Sequence, residues 1–270
     1  MFFALDTLGT DNLHTIRTLP AQQKWGYVFR LAQEAGVSAL LLTETLYDRT
    51  LSMPLETMPE PPEALRLLYS MDGLYTLLSD ADADALRYGL DAVLQFAHAL
   101  RVTDVYIPPP HLPGDMHPLR GFVHERFQEI IAEWMPKYRW AGVSLSVESL
   151  IQETIFQGML DYAYFIQQTE HISALIHIAH LVYDGFSENE LLELIAPLRV
   201  AGFRIGDADP ALPRGEGIGL PVGMGTIGLR RFLAPYAGRD IPGILSIDAP
   251  FEMIRSSLER LERYVGMREN

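Results

Sequence analysis

Short apolar runs alternate with longer amphipathic stretches along the whole chain. Near-continuous apolar runs are typical of strands buried on both faces, whereas apolar residues that repeat every three or four positions indicate helices. Strands are predicted at 2–6, 38–43, 67–75, 103–107, 142–148, 172–177, 198–205 and 243–248. Helices are predicted near 21–35, 81–100, 119–138, 153–168, 187–197, 226–236 and 250–264. This alternation predicts a parallel sheet whose strands are connected by helices.

The number of strands selects between the two common arrangements of such a sheet. About eight strands in 270 residues fit a closed (β/α)8 barrel better than an open doubly wound sheet. No glycine-rich phosphate-binding motif follows the first strand, which also disfavours a dinucleotide-binding fold. The predicted fold class is therefore α/β, a single (β/α)8 TIM barrel domain over residues 1–270. The weakest connection is 54–67, where a Pro-rich segment leaves room for only a turn or two of helix.

The composition restricts the partners and the chemistry. The formal net charge of −14 disfavours contact with a phosphate backbone, so no nucleic-acid partner is expected. The chain has no cysteine, so any metal would be held by His, Asp, Glu or water. No segment approaches the roughly 18 apolar residues of a membrane span, and the first residues do not resemble a signal peptide. We expect a cytoplasmic protein without membrane association.

Polar residues stand where the predicted strands end. In a (β/α)8 barrel the active site lies at the carboxyl ends of the strands, so such residues would share one end of the barrel. They are Asp6, Glu44, His111, Glu148, His177, Arg204, Asp207 and Asp248. Each alone has a structural alternative, because a strand-end carboxylate often caps the next helix and a single His is often a hydrogen-bonded core residue. Strands five to eight all end in an ionisable residue, which favours a functional site.

Four segments, in the same order along the chain, resemble motifs of one family. They are "GVSLSVES" (142–149), "ISALIHIAH" (172–180), "FRIGD" (203–207) and "PVGMGTIGLRRFLAPYAGRDIPGILSID" (221–248). These segments resemble strands five to eight of the xylose isomerase-like barrels, a superfamily of sugar isomerases, sugar epimerases and metal-dependent AP endonucleases. The resemblance covers most of the chain and is strongest from about 140 to 250.

The resemblance implies a metal site with unusual ligands. The family's four ligand positions fall on Glu148, His177, Arg204 and Asp248, of which only Glu148 keeps the family's residue type. The implied ligands of a divalent ion (Mn, Zn, Mg or Co) are therefore Glu148, His177 and Asp248. Two carboxylates that share a site need a cation between them or one raised pKa, and Arg204 could supply that cation in place of a metal.

The resemblance also implies a chemistry and a substrate class. It implies a sugar isomerase or epimerase that moves a proton next to the carbonyl of a small sugar, keto sugar or sugar acid, with Glu148 and Asp248 as the catalytic base and acid. The implied substrate-binding residues are Arg204, His111, His180, Asp207 and Glu44. A homodimer is compatible with this function.

Two alternatives stay open. A metabolite-binding barrel without metal or catalysis is favoured by the substitutions at three of the four ligand positions. An AP endonuclease is disfavoured, because it needs a basic DNA-binding surface and a larger His-rich metal site.

Overall fold

The backbone forms a closed parallel barrel. The structure is a computed structural model and describes residues 1–43, 46–47, 51–71, 73 and 75–266. The strands are β1 (Phe2–Leu5), β2 (Ala39–Thr43), β3 (Arg66–Ser70), β4 (Asp104–Ile107), β5 (Ser144–Glu148), β6 (Ser173–His177), β7 (Val200–Ile205), β8 (Asp207–Ala208), β9 (Ile218–Leu220) and β10 (Pro242–Leu245). The barrel order is β1, β10, β7, β6, β5, β4, β3, β2, while β8 and β9 form a separate antiparallel pair. The predicted (β/α)8 fold is confirmed.

The helices follow the strands in the predicted alternation. They are α1 (Thr10–Thr18), α2 (Ala21–Ala35), α3 (Asp80–Leu100), α4 (Arg120–Trp140), α5 (Met159–Gln168), α6 (Ile178–Tyr183), α7 (Glu188–Ile195), α8 (Arg214–Gly217), α9 (Leu229–Leu233) and α10 (Phe251–Tyr264). A capping box starts α3, since the Ser79 hydroxyl accepts from the Asp82 N–H and the Asp82 carboxylate accepts from the Ser79 N–H. The connection at 54–67 contains only a short 3-10 turn, Leu55–Thr57.

Several predicted bounds need correction. The predicted third strand, 67–75, ends at Ser70, and the last strand, 243–248, ends at Leu245. The sequence patterns do not predict helices α1, α6 and α8 or the β8–β9 pair. Helix α6 has six residues, too few to show a helical period, and it begins directly after the last residue of β6.

The contacts divide the chain into two compact units. The first unit contains residues 1–66, 176–193 and 202–270, and the second contains 67–175 and 194–201. The single domain over 1–270 stays a prediction. No helix in the described ranges is long and apolar enough to cross a membrane.

Each unit has its own apolar core. In the first unit, Trp25 of α2 stacks on Tyr47 with ring centroids 5.3 Å apart, and α10 buries Ile254 and Leu258. In the second unit an aromatic cluster fills the space between α4 and α5, where Phe127 stacks on Phe165 at 5.4 Å. Burial of such aromatic side chains is a main source of stability in each core.

Candidate functional site

Glu148 is a buried carboxylate at the end of β5, in the second unit. The residue is only 4% exposed. The hydroxyl of Ser70, the last residue of β3, donates a hydrogen bond to Glu148 Oε1 at 2.7 Å. Strand β4 lies between β3 and β5, so this contact spans one strand on a shared face. A buried carboxylate is costly without hydrogen bonds, and Ser70 supplies one of them.

A polar layer lies on the same face, one step below Glu148. Ser70, Tyr106 and Ser146 are partners in the strand register of β3, β4 and β5. Ser146 is fully buried, and its hydroxyl oxygen makes no hydrogen bond within the described part of the chain. Barrel interiors are usually filled by branched apolar side chains, so this layer is an unusually polar environment for a carboxylate. We call Ser70, Tyr106, Ser146 and Glu148 the Glu148 cluster.

Two phenols are sensitive to the charge of Glu148. Burial raises the pKa of Tyr75 and of Tyr162 well above the usual value, and the negative charge of Glu148 raises both further. Tyr75 donates to the Pro108 carbonyl at 2.5 Å, and Tyr162 donates to the Val147 carbonyl at 2.8 Å. Both phenols therefore stay neutral around Glu148.

A second polar group, in the first unit, joins the ends of three strands. Arg204 of β7 lies with Nη1 3.6 Å from Oδ2 of Asp6, which directly follows β1. The Ser246 hydroxyl, directly after β10, donates to the same Asp6 oxygen at 2.6 Å. The side chains of Arg204 and Asp6 are 19% and 11% exposed. We call Asp6, Arg204 and Ser246 the Arg204 cluster.

Arg204 has Asp6 as a carboxylate neighbour. The role of Arg204 as the cation that balances Glu148 and Asp248 stays a prediction. The sequence predicts Asp6 as a strand-end residue without a role in the site, and it predicts no role for Ser246. The available signal was the position of Asp6 directly after the first strand. The charge of Asp6 also acts on Tyr47, whose pKa is raised first by burial and then by that carboxylate.

His177 and His180 lie together in the first unit. His177 ends β6, is 4% exposed and precedes the first residue of α6. Because α6 starts at once, His180 lies one turn further on, and the two rings meet edge to face with centroids 5.5 Å apart. His180 is half-buried. Their roles as a metal ligand and a substrate contact stay predictions.

Asp207 holds a loop. Its carboxylate accepts backbone N–H groups of Ala208 at 2.9 Å, Gly223 at 2.9 Å and Ile227 at 3.1 Å. The loop is close enough to require glycine, because a Cβ on Gly225 would lie 2.4 Å from Asp207 Oδ1. The carboxylate thus accepts three backbone N–H groups, and its contact with substrate hydroxyls stays a prediction.

The remaining predicted residues are placed as follows. Asp248 is exposed, because β10 ends three residues earlier. His111 is half-buried in the second unit, where its backbone N–H donates to the Tyr75 carbonyl at 2.8 Å. Glu44 lies outside the described residues.

The ligand set Glu148, His177 and Asp248 stays a prediction. Among the residues that the structure describes, no three His, Cys, Asp or Glu side chains are arranged to hold a metal ion. Glu148 accepts a hydrogen bond from Ser70, Asp248 is exposed, and the family's third ligand position is Arg204, whose guanidinium cannot act as a ligand to a metal. The described residues therefore do not fit a divalent ion in the manner the resemblance implied.

Comparisons with known proteins give similar structures and no similar sequences. No family model and no curated protein matches the chain. A D-tagatose 3-epimerase-like protein has a TM-score of 0.75 at 12% identity, over 99% of this chain and 98% of its own. D-psicose 3-epimerase from Clostridium cellulolyticum H10, with D-tagatose, has a TM-score of 0.71 at 12% identity, over 98% and 99% of the two chains.

A third similar structure is a xylose isomerase-like TIM barrel protein from Mycobacterium smegmatis in complex with magnesium. Its TM-score is 0.65 at 16% identity, over 98% of this chain and 97% of its own. Structural similarity at identities this low shows a shared fold and does not show a shared activity. This chain has the fold of the xylose isomerase-like TIM barrels.

Proposed function

We propose that this protein is a sugar isomerase or epimerase-like enzyme that moves a proton next to the carbonyl of a small sugar-like molecule, with Glu148 as the base. The observation that carries the proposal is the position of Glu148, buried at the carboxyl end of β5 and oriented by Ser70. Active sites of (β/α)8 barrels lie at this end of the strands. Similar structures include an epimerase with a bound ketohexose, D-tagatose.

The proposed step is a proton transfer without a metal. Glu148 takes the proton from the carbon next to the carbonyl, and the electron pair of that C–H bond moves to form an enediolate. The protonated carboxyl then returns the proton. Ser70 positions the carboxylate by holding Oε1.

The stereochemical outcome depends on the number of acid/base groups. One carboxylate that returns the proton to the neighbouring carbon on the same face performs an isomerisation, in which the hydroxyl proton of the first carbon passes to the former carbonyl oxygen. Epimerisation through the opposite face needs a second group, and the predicted partner, Asp248, is exposed beyond the end of β10. The proposal therefore favours isomerisation by a single base over epimerisation by Glu148 and Asp248.

A second candidate function is metabolite binding without catalysis. The exposure of Asp248 favours it, because the family-like pair of acid and base is then reduced to one buried carboxylate. Both candidates predict sugar binding, and only the first predicts exchange of a substrate C–H proton with solvent.

The test is exchange of substrate protons in deuterated water. A panel of ketopentoses, ketohexoses and aldonic acids is incubated with the protein, with a chelator present, and loss of C–H signals is followed by NMR. Glu148→Gln keeps the shape but removes the base, so we expect exchange to fall by about 10²-fold or more. Glu129→Gln, the same change at an exposed position of α4, is the matched control.

Each outcome assigns the function. Exchange that depends on Glu148 and survives the chelator supports the single-base proposal. Binding of a sugar without exchange in the wild type supports the metabolite-binding alternative. Exchange that is unchanged in Glu148→Gln would place the base elsewhere.

A further inference from the structure

The second unit has a surface cavity at the amino ends of β6 and β7. His171 stands two residues before β6, Arg199 directly precedes β7, and the Ala174 N–H donates to the Arg199 carbonyl at 2.7 Å. His171 and Arg199 line this cavity, whose volume of about 620 Å³ is large enough for a small organic ligand. Glu148 ends β5 at the opposite, carboxyl end of the strands. The cavity is therefore distinct from a site around Glu148.

Two guanidinium groups lie at this cavity without a carboxylate partner. Arg199 donates from Nη2 to the Thr169 carbonyl at 3.0 Å. Arg139, near the end of α4, lies with Nη1 2.7 Å from Nε2 of His171. Among the residues that the structure describes, neither arginine has a carboxylate within ion-pair distance. A guanidinium has five N–H donors, so both arginines keep donors for a ligand.

The contacts of His171 leave one of its neighbours unsatisfied. Its Nε2 atom lies 2.7 Å from Arg139 Nη1 and 2.9 Å from Glu170 Oε1. A ring nitrogen can accept from the guanidinium or donate to the carboxylate, but it cannot do both. A ligand oxygen that accepts from Arg139 would remove this competition. The arrangement therefore favours an acceptor, and not a donor, beside Arg139.

The charges at the cavity favour an anion. Of the described residues that line it, only Glu170 has a carboxylate, and that side chain is 85% exposed. Two guanidinium groups against one carboxylate leave an excess of one positive charge, whatever the protonation state of His171. The whole chain has a net charge of −14, so this local excess is not a general property of its surface. Anions are attracted to such a position and repelled by most others.

A phosphate group matches these donors. It has three terminal oxygens that accept strong hydrogen bonds, so one group can accept from both guanidiniums at once. The cavity is larger than one phosphate, and its wall also contains the amide groups of Gln167 and Gln168 and the apolar side chains of Ile166 and Pro197. These groups can hold the hydroxyls and carbon atoms of an organic part of the ligand.

We propose that the cavity binds a small phosphate monoester, with Arg139 and Arg199 as its phosphate-binding residues. This site lies apart from the proposed catalytic base, and the inference does not depend on the proposed function.

The test measures binding by calorimetric titration with three probes, D-ribose 5-phosphate, D-ribose and inorganic phosphate. We expect the wild type to bind ribose 5-phosphate more tightly than either other probe. Arg139→Gln and Arg199→Gln should each weaken this binding by about 5-fold or more, because each loses one positive charge near the phosphate. Glu170→Gln removes the opposing charge and should tighten the binding by about 3-fold or more.

Arg230→Gln is the matched control. Arg230 of α9 is exposed and, within the described part of the chain, also has no carboxylate partner, but it does not line this cavity. An equal loss in Arg230→Gln would reduce the effect to net charge and overturn the proposal. The same conclusion would follow if the wild type bound no phosphate, or if Arg139→Gln, Arg199→Gln and Glu170→Gln all left binding unchanged.

Two further results test the kind of ligand and its place. Inorganic phosphate that binds as tightly as ribose 5-phosphate would refute the choice of a monoester. Binding of ribose 5-phosphate that is lost in Glu148→Gln would place the ligand at the other end of the strands and refute this site. Glu170→Gln keeps the proposal testable if the arginine variants do not fold, since its carboxylate is exposed.

Discussion

The ion pair between Arg204 and Asp6 should stabilise the protein more than the exposed ion pair between Arg66 and Asp240 does. In Arg204→Met the guanidinium is replaced by an apolar side chain of similar length, and Asp6 keeps its charge while its side chain is only 11% exposed. Ser246 still donates one hydrogen bond to Asp6, but the opposite charge is lost. In the double variant Asp6→Asn, Arg204→Met, neither charge remains.

The distance gives the scale of the effect. At 3.6 Å between Nη1 and Oδ2 and an effective dielectric near 20, the attraction is roughly 4 to 5 kcal/mol. The cost of removing two charges from water offsets much of this attraction. We expect Arg204→Met to lower the free energy of unfolding by about 2 to 4 kcal/mol, and the double variant to lose less than Arg204→Met alone. The coupling energy should be about 1 to 3 kcal/mol.

The measurement is a double-mutant cycle by urea unfolding at neutral pH, with slopes compared to confirm that the unfolding transition is unchanged. The reference is the pair Arg66 and Asp240, whose side chains are 48% and 73% exposed, in the cycle Arg66→Met and Asp240→Asn. Its coupling should be below about 1 kcal/mol and should weaken with salt. Equal coupling in the two cycles, or additive losses in the Arg204 cycle, would refute the argument from burial.

Other consequences can be measured on the same protein. Asp207→Ala leaves backbone N–H groups of its loop without their acceptor and should lower the free energy of unfolding by about 3 kcal/mol, checked by urea unfolding. Gly225→Ala should lower Tm clearly more than Gly215→Ala, because a Cβ at 225 meets a backbone oxygen at 2.4 Å and a Cβ at 215 has nothing within 4 Å. Burial, and after it the charge of Glu148, raises the pKa of Tyr75 and Tyr162. The contribution of these neutral phenols to stability is therefore complete below pH about 10 and is lost as the pH rises through the folded-state pKa. The measurement is phenolate absorbance, which should appear at higher pH than for an exposed tyrosine. Added Mn or Zn, or a chelator, should leave the Tm of the wild type unchanged, because no group of the described residues is arranged to hold a metal ion. A stoichiometric rise in Tm with either metal would contradict this expectation.

The sequence by itself determined the fold. Parallel barrel strands are buried on both faces, so their near-continuous apolar runs are visible without tertiary information. The predicted strand ending at His177 and the one ending at Glu148 end at those residues in the structure. The resemblance of segments around strands five to eight led to the fold that the similar structures share.

Only the tertiary structure decided which partners the strand-end residues contact. Ser246 and Asp6 are 240 residues apart in the chain and meet because β10 closes the barrel beside β1. The exposure of Asp248 depends on where β10 ends, because a strand that stops at Leu245 leaves Asp248 exposed. Apolar periodicity specifies where a strand lies, but pairing partners and loop contacts specify what a polar side chain at its end touches, since these depend on residues far away in the sequence.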